Sequence, residues 1–549
     1  MSSQRITANS TGSALRGTPA QAPAPPLHRP ADPAAPPDAD PEIAVRRESA
    51  RRALGTASAT AALTLMVLGS LAYVSIVSSR ASILSPPSHV RFPDWMAGPL
   101  GPLAAGIRPS DDGRKVLLTA LAVGMYLCYL VVLACSKRLR PRLALAAVVA
   151  IEVIFFLSPP LSLTDVFNYI NYGRMEVLYG LNPYTTIPAL GPHGDLGFQL
   201  SNWHSLLSPY GPLFTIFTLA LVPLGVATSF WVLKATLLVA SLGCLWLVWR
   251  CAELLGREPL RATLFVGLNP LILIWGLGGD HNDFITVFFV LLAVYLLLQA
   301  RARRRTAPPV GGAGPAEAAV PRGGRRLLGW IDGAPRPLPA GEPGPARELS
   351  AGFLLVAAVA VKASAGLLLP VVLCGVPRRL RLLAGMAIGF VVLGGASLYA
   401  FGPHLPNLAQ QSTLVTLVGL PNVTGYLLGF GGETDTMKLV LAGGLILAVL
   451  GASAWAWRTR DWVTAAGWAT VALLLTLSWT LPWYVLWLLP FAALARRGRG
   501  LQVAALLASL YLMLAWVPLM TNLIHSVGFK PSLTELGQKR QVKTLTLLH

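Results

Sequence analysis

Asp165 stands in the run Thr164-Asp165-Val166-Phe167-Asn168-Tyr169, just beyond an apolar stretch that closes at Leu157-Ser158-Pro159-Pro160. Tyr172-Gly173-Arg174 and Gly180-Leu181-Asn182-Pro183-Tyr184 follow it. A carboxylate at the mouth of an apolar span loses hydration, which is costly unless the group is used. Partial desolvation also raises a carboxylate's affinity for a proton, which suits it to deprotonate a hydroxyl. Asp165 is therefore the candidate general base. Lys362 interrupts the apolar stretch 351–376, with Pro370 behind it. At such a break its ammonium can serve as a point charge for a phosphate, and snorkelling to a membrane interface is the plainer use. Arg174 is a second cation for the same purpose, or a charge on an outer surface.

A second cluster runs from Asn269-Pro270-Leu271 through Trp275-Gly276-Leu277-Gly278-Gly279 to Asp280, His281, Asn282 and Asp283. These four polar residues can bind a sugar, a phosphate or a metal ion. Their adjacent positions do not supply the spacing of a metal-ligand set, so no cofactor is expected, and a divalent metal stays open without support from spacing. The glycines make no phosphate loop, because no Lys-Ser or Lys-Thr follows and no strand precedes them. Tyr169, Tyr172, Tyr184, Trp483 and Tyr484 offer apolar faces to sugar rings, with Asn182 and His204 as polar partners. Such aromatics also serve as anchors at a membrane interface.

The elements that must position these residues are membrane helices. Hydrophobic residues make up 54% of the 549-residue chain and charged ones only 12%, too apolar a balance for a soluble globule. The net charge of +20 comes from short Lys/Arg clusters between apolar runs. That pattern fits anionic inner-leaflet lipid, and a nucleic-acid partner is not expected. The five cysteines lie in or beside apolar runs and form no metal or disulfide spacing. A crossing helix needs roughly 20 apolar residues. On that basis spans fall near 53–77, 116–135, 142–160, 229–249, 260–278, 283–299, 380–400, 437–457, 463–480 and 501–519. The shorter pieces at 212–227, 351–376 and 485–495 read as re-entrant or interfacial segments.

With those assignments every basic cluster is cytoplasmic, and the unusual polar residues collect on the opposite face, together with His89, His193 and His404. Residues 1–50, rich in Pro and Ala, read as a disordered cytoplasmic tail, and 300–349, dense in Pro, Gly and Arg, as a basic linker. The linker divides an N-terminal membrane half, 51–299, with its outer loop 160–211, from a C-terminal half, 350–520, and a tail at 521–549. Polar residues gathered on one face suit an enzyme working there. A transporter of lipid or glycan, the alternative, tends to place polar groups at the midplane between internal repeats, and no repeat is evident.

Taken in order, these motifs, with Pro209-Tyr210-Gly211-Pro212-Leu213, Val361-Lys362 and Leu481-Pro482-Trp483-Tyr484, resemble the GT-C class of polytopic glycosyltransferases. The likeness covers about 150–495 and is greatest to the actinobacterial polyprenol-phosphomannose-dependent α-1,6-mannosyltransferases. The resemblance implies an all-α bundle of roughly 12–14 membrane helices. It further implies a multi-pass protein of the cell membrane that moves mannose, with inversion, from a polyprenyl-phosphate mannose donor to an α-1,6-mannan or lipoglycan acceptor on the extracytoplasmic face. The family's base, the first outer-loop aspartate, corresponds to Asp165 alone. Asp280 stands where the family pattern suggests a glycine, and the linker is long, departures that bear on substrate choice more than on reaction class.

Overall fold

The computed structural model describes residues 41–79, 93–161, 165–306 and 346–528, apart from 105, 108, 109, 497 and 527. His89, most of the 1–50 tail, linker residues 307–345 and most of the C-terminal tail lie outside the described residues. The chain divides into two units, Met1–Ala53 and Leu54–His549. In the first, residues 41–53 are helical, so the expected tail ends in a helix. The second carries the fold and the site.

Every regular element among the described residues is helical. The α-helices are α1 (Pro41–Ser78), α2 (Asp111–Ala134), α3 (Pro141–Phe156), α4 (Asp165–Tyr179), α5 (Leu196–Leu200), α6 (Pro212–Leu221), α7 (Gly225–Leu254), α8 (Pro259–Gly267), α9 (Asp283–Thr306) and α10 (Ala346–Val361). They continue as α11 (Leu368–Gly375), α12 (Arg379–Phe401), α13 (Leu408–Ser412), α14 (Leu420–Leu427), α15 (Asp435–Thr459), α16 (Trp462–Thr476), α17 (Leu489–Leu494), α18 (Arg499–Trp516) and α19 (Pro518–Ser526). The local sequence explains many boundaries. Ser110 and Thr434 cap α2 and α15 by accepting from the Gly113 and Met437 N–H, and proline opens α3, α6 and α8, where its missing N–H is no loss.

Seven helices among the described residues are long and apolar enough to cross a membrane: Glu48–Ser78, Asp111–Ala134, Pro212–Leu254, Asp283–Ala300, Arg379–Phe401, Asp435–Thr459 and Arg499–Trp516. The protein is thus an all-α polytopic membrane protein. The other expected runs are shorter helices, which is where seven and roughly 12–14 part company. The run 142–160 becomes α3, of 16 residues, and 463–480 becomes α16, of 15. The run 260–278 is cut at Asn269-Pro270 into α8 and a π-helical turn, Ile272–Leu277. Residues 212–227 do not stand apart as a hairpin: α6 passes through one 3-10 turn, Val222–Leu224, into α7. Gly225 takes φ +75° at that break, a conformation side chains with a Cβ rarely adopt.

Two features place the site. The segment 165–211 is built around α4, which packs against α6 and α7. The π-helical turn packs against a 3-10 turn, Pro482–Trp487, and α9 packs between α7 and α10. The start of α4, the residues that follow α10 and the 3-10 turn line one cavity, and the start of α9 stands behind its wall.

Candidate active site

Asp165 is the first residue of α4, and its carboxylate reaches a cavity of about 330 Å³. Oδ1 accepts a 2.7 Å hydrogen bond from Trp203 Nε1, and Oδ2 lies 3.4 Å from His281 Nδ1. Trp203 is itself held to α4, because its backbone N–H donates to Asn168 Oδ1 at 3.0 Å. With 7% of its surface exposed, Asp165 keeps a narrow opening to the cavity.

Lys362 ends α10. It takes an extended backbone, φ −150°, ψ 120°, before the 3-10 turn Ala363–Leu367. The helix break read at this lysine is present. Its Nζ donates to both oxygens of Asp283 at 2.9 Å, and it sits 4.7 Å from the Tyr484 ring centre and 5.3 Å from that of Trp487. Buried Asp283 holds the ammonium at the wall, and the two rings add a face that attracts a cation. Lys362, Asp165, Tyr169, Tyr172, Trp483 and Tyr484 all line the same cavity, with Trp203, Tyr210, Trp479 and Trp487 beside them. Its surface is mostly apolar, broken by a carboxylate, an ammonium, Ser364, Gln411 and Ser412.

The loop between the π-helical turn and α9 ties these groups together. His281 stacks flat on Trp483, with ring centres 3.3 Å apart, and is buried behind it. The Asn282 backbone N–H donates to the Tyr169 hydroxyl at 3.4 Å, while its own side-chain atoms are buried without a partner among the described residues. Asp280 turns to α7, where Oδ1 accepts from Lys234 at 2.9 Å. None of Asp280, His281, Asn282 and Asp283 is among the cavity-lining residues; the last three hold residues that are.

The remaining sequence candidates lie elsewhere. Arg174 makes a two-pronged ion pair with Asp195, with Nε–O distances of 2.9 and 3.0 Å and Nη2–Oδ2 of 2.7 Å, joined by the Tyr179 hydroxyl at 2.6 Å. Burial alone would raise the Asp195 carboxyl, but Arg174, Tyr179 and the Gly197 N–H overcome it and hold the carboxyl below its ordinary value. Asn182 Nδ2 donates to the Phe401 carbonyl at 2.8 Å, and its Oδ1 accepts from the Tyr184 N–H. The Tyr184 hydroxyl donates to the Tyr210 carbonyl at 3.0 Å, steadying a residue of the cavity wall. His204 stacks on Phe198 with ring centres 3.8 Å apart. These four residues are scaffolding of the 174–204 segment and do not line the cavity.

Lys234, Trp487, Ser364 and Gln411 escaped the sequence reading. For Lys234 the signal was present: a single lysine in the apolar run Phe230-Trp231-Val232-Leu233-Lys234-Ala235 is a charge that needs a partner. For Ser364 and Gln411 nothing local distinguishes them from other polar residues. Among the described residues no group of three or more His, Cys, Asp or Glu is placed to hold a metal ion.

Fold and cavity define a multi-pass helical membrane protein with a carboxylate and a lysine in one aromatic-walled cavity. A family model described as alpha-(1->6)-mannopyranosyltransferase, N-terminal domain, matches residues 98–378, and one described as MptB C-terminal domain matches residues 414–531. The chain belongs to the alpha-(1->6)-mannopyranosyltransferase family, as its motifs implied. It is 27% identical to alpha-(1->6)-mannopyranosyltransferase A of Mycobacterium tuberculosis over 64% of this chain and 64% of that protein. A second alpha-(1->6)-mannopyranosyltransferase of Mycobacterium tuberculosis is 28% identical over 64% of this chain and 66% of its own length. Alpha-(1->6)-mannopyranosyltransferase B of Corynebacterium glutamicum is 27% identical over 62% of this chain and 57% of its own length. The match thus spans less than two thirds of each of these relatives. No solved structure matches the chain.

Proposed function

We propose that this protein is a membrane glycosyltransferase that moves a mannosyl residue from a polyprenyl-phosphate mannose donor to an α-1,6-mannan or lipoglycan acceptor. The observation that carries the reading is that Asp165, at the start of α4, and Lys362, just past α10 and distant in sequence, line one aromatic-walled cavity. The printed names of the relatives supply mannose and the α-1,6 linkage.

In this reading Asp165 takes the proton of the acceptor's 6-hydroxyl as its oxygen forms a bond to the anomeric carbon. The bond from that carbon to the donor phosphate breaks, and polyprenyl phosphate leaves with the electron pair. Attack opposite the leaving group inverts the anomeric centre. Lys362, with three N–H donors, keeps Asp283 and turns a donor to the phosphate, offsetting the charge that builds up there. Tyr484 and Trp487 keep water from the ammonium, which strengthens its attraction for an anion. Tyr169, Tyr172 and Trp483 offer faces to the sugar and the lipid's first isoprene units.

The charge map supports a site on the extracytoplasmic face, since the basic clusters Lys137-Arg138 and Arg378-Arg379 fall at the opposite ends of the helices from Asp165 and Lys362. Purified protein in detergent, given polyprenyl-phosphate mannose and a short α-1,6-mannoside, tests the whole reading. Extension of the acceptor by one mannose with release of polyprenyl phosphate is expected. A donor that is bound but emerges with its glycosidic bond intact would turn the reading to transport of the lipid-linked sugar.

A further inference from the structure

We propose that Lys234 is a positioning residue: its buried ion pair with Asp280 sets the loop that places His281 beside Asp165 and Asp283 beside Lys362. The inference rests on the reading of Asp165 and Lys362 given above.

Lys234 and Asp280 each leave 1% of the side chain exposed, with Nζ and Oδ1 2.9 Å apart, and neither lines the cavity. Such a pair adds little to stability compared with apolar residues of the same volume, because desolvation of both charges offsets their attraction. Stability alone therefore gives no reason for it. Its surroundings do. Asp280 sits at φ 60°, a conformation that non-glycine residues keep only where neighbouring contacts enforce it. That turn sends consecutive side chains to different helices: Asp280 to Lys234 on α7, and His281 to Asp165 on α4. Two residues on, Asp283 opens α9 and grips Lys362 at the end of α10. A loop released from α7 loses the constraint on both contacts at once.

The lysine also belongs to the packing that holds α4. Its ammonium lies 5.4 Å from the Phe230 ring centre, and Phe230 stacks nearly parallel on Phe167, 5.5 Å away and two residues after Asp165. One turn of α7 thus grips the base's helix by a ring stack and the loop by an ion pair.

The test replaces the pair by uncharged residues of similar size, Lys234→Met with Asp280→Asn. Asparagine also tolerates the left-handed conformation. Four quantities are read in detergent: the unfolding midpoint, kcat and KM for polyprenyl-phosphate mannose, and backbone hydrogen exchange over residues 276–285. The expected result is a midpoint close to the native one and a kcat lower by on the order of a hundredfold, because small misplacements of reacting groups cost that much. KM should change little, and exchange over 276–285 should be faster. Lys234→Met alone should unfold earlier than the double variant, since it strands a buried carboxylate. A folded double variant with native kcat, or with native exchange in this segment, overturns the proposal. Exchange needs no turnover, so a wild-type protein that transfers no sugar sinks the enzymatic reading while the clamp is still judged. If the double variant does not fold, Asp280→Asn alone takes its place, and native kcat with native exchange there overturns the clamp equally.

Discussion

His281 Nδ1 lies 3.4 Å from Asp165 Oδ2 while the same imidazole is stacked on Trp483 at 3.3 Å between ring centres. The ring is therefore fixed in plane by an indole and aimed edge-on at the carboxylate. Among the described residues His281 Nε2 is buried with no partner, and Nδ1 is the ring nitrogen that faces Asp165, where an N–H can donate to an acceptor-only carboxylate. With Trp203 Nε1 on the other oxygen, the carboxylate is oriented from two sides. Such contacts are often long before substrate binds and tighten in the reacting complex.

His281→Phe keeps a flat ring against Trp483 and removes the N–H. The expected outcome is a fall in kcat of about tenfold to a hundredfold with little change in donor KM, because the imidazole steers the base without touching the donor. A donor KM that rises while kcat holds would place His281 in substrate binding instead.

How far this site was legible beforehand depended on distance along the chain. Asp165 and the break at Lys362 announce themselves locally, as a carboxylate at the mouth of an apolar run and a charge inside one. The pairing of Lys362 with Asp283, 79 residues earlier, does not, because sequence spacing carries no information on which helix ends converge. The same limit made Arg174 look like a phosphate ligand: nothing near it shows that Asp195, 21 residues on, already occupies its guanidinium. The long apolar helices were readable from hydropathy, whereas the cuts at Asn269-Pro270 and in α6–α7 depend on packing that tolerates a broken helix.

Lys362 carries two roles that a pair of variants separates. Lys362→Ala should weaken donor binding and also lower the unfolding midpoint, since it leaves Asp283, 1% exposed at its side chain, charged and unpaired. Lys362→Ala with Asp283→Asn should recover the midpoint but not the donor affinity. Lys362→Arg should be partly tolerated, because the charge remains while its geometry differs. A double variant that binds donor normally would return this lysine to a purely structural role.

Asp195 makes the segment 190–204 acid-sensitive. Its folded carboxyl is held below its ordinary value, so its contribution to stability is present above the unfolded value of about 3.9 and is lost as pH falls through the lower folded value. Hydrogen exchange of residues 190–204 should accelerate over that acidic window in the native protein. Asp195→Asn should show the faster exchange already at neutral pH and remove this part of the acid dependence. Equal exchange in the two proteins at neutral pH would mean that the Arg174–Asp195 pair does not hold the segment.

Asp165→Asn is the sharpest test of the chemistry. Asparagine has nearly the same size, and its Oδ1 can still accept from Trp203 Nε1, so the variant should insert and fold as the native protein does. It cannot take a proton at neutral pH, and loss of a general base typically lowers rates by about 10²–10⁴. Asp165→Glu should recover little, because one extra methylene pushes the carboxylate away from Trp203 and His281 in a site that leaves 7% of the residue exposed. Donor affinity should stay near the native value in the Asn variant, since Lys362 and the aromatic wall are untouched. Sugar transfer by Asp165→Asn at close to the native rate would put the base elsewhere. Asp283, behind the wall, is engaged by Lys362 through both oxygens, and Asp165 is the one carboxylate among the described residues that line the cavity, so that result would count against an enzymatic carboxylate there altogether.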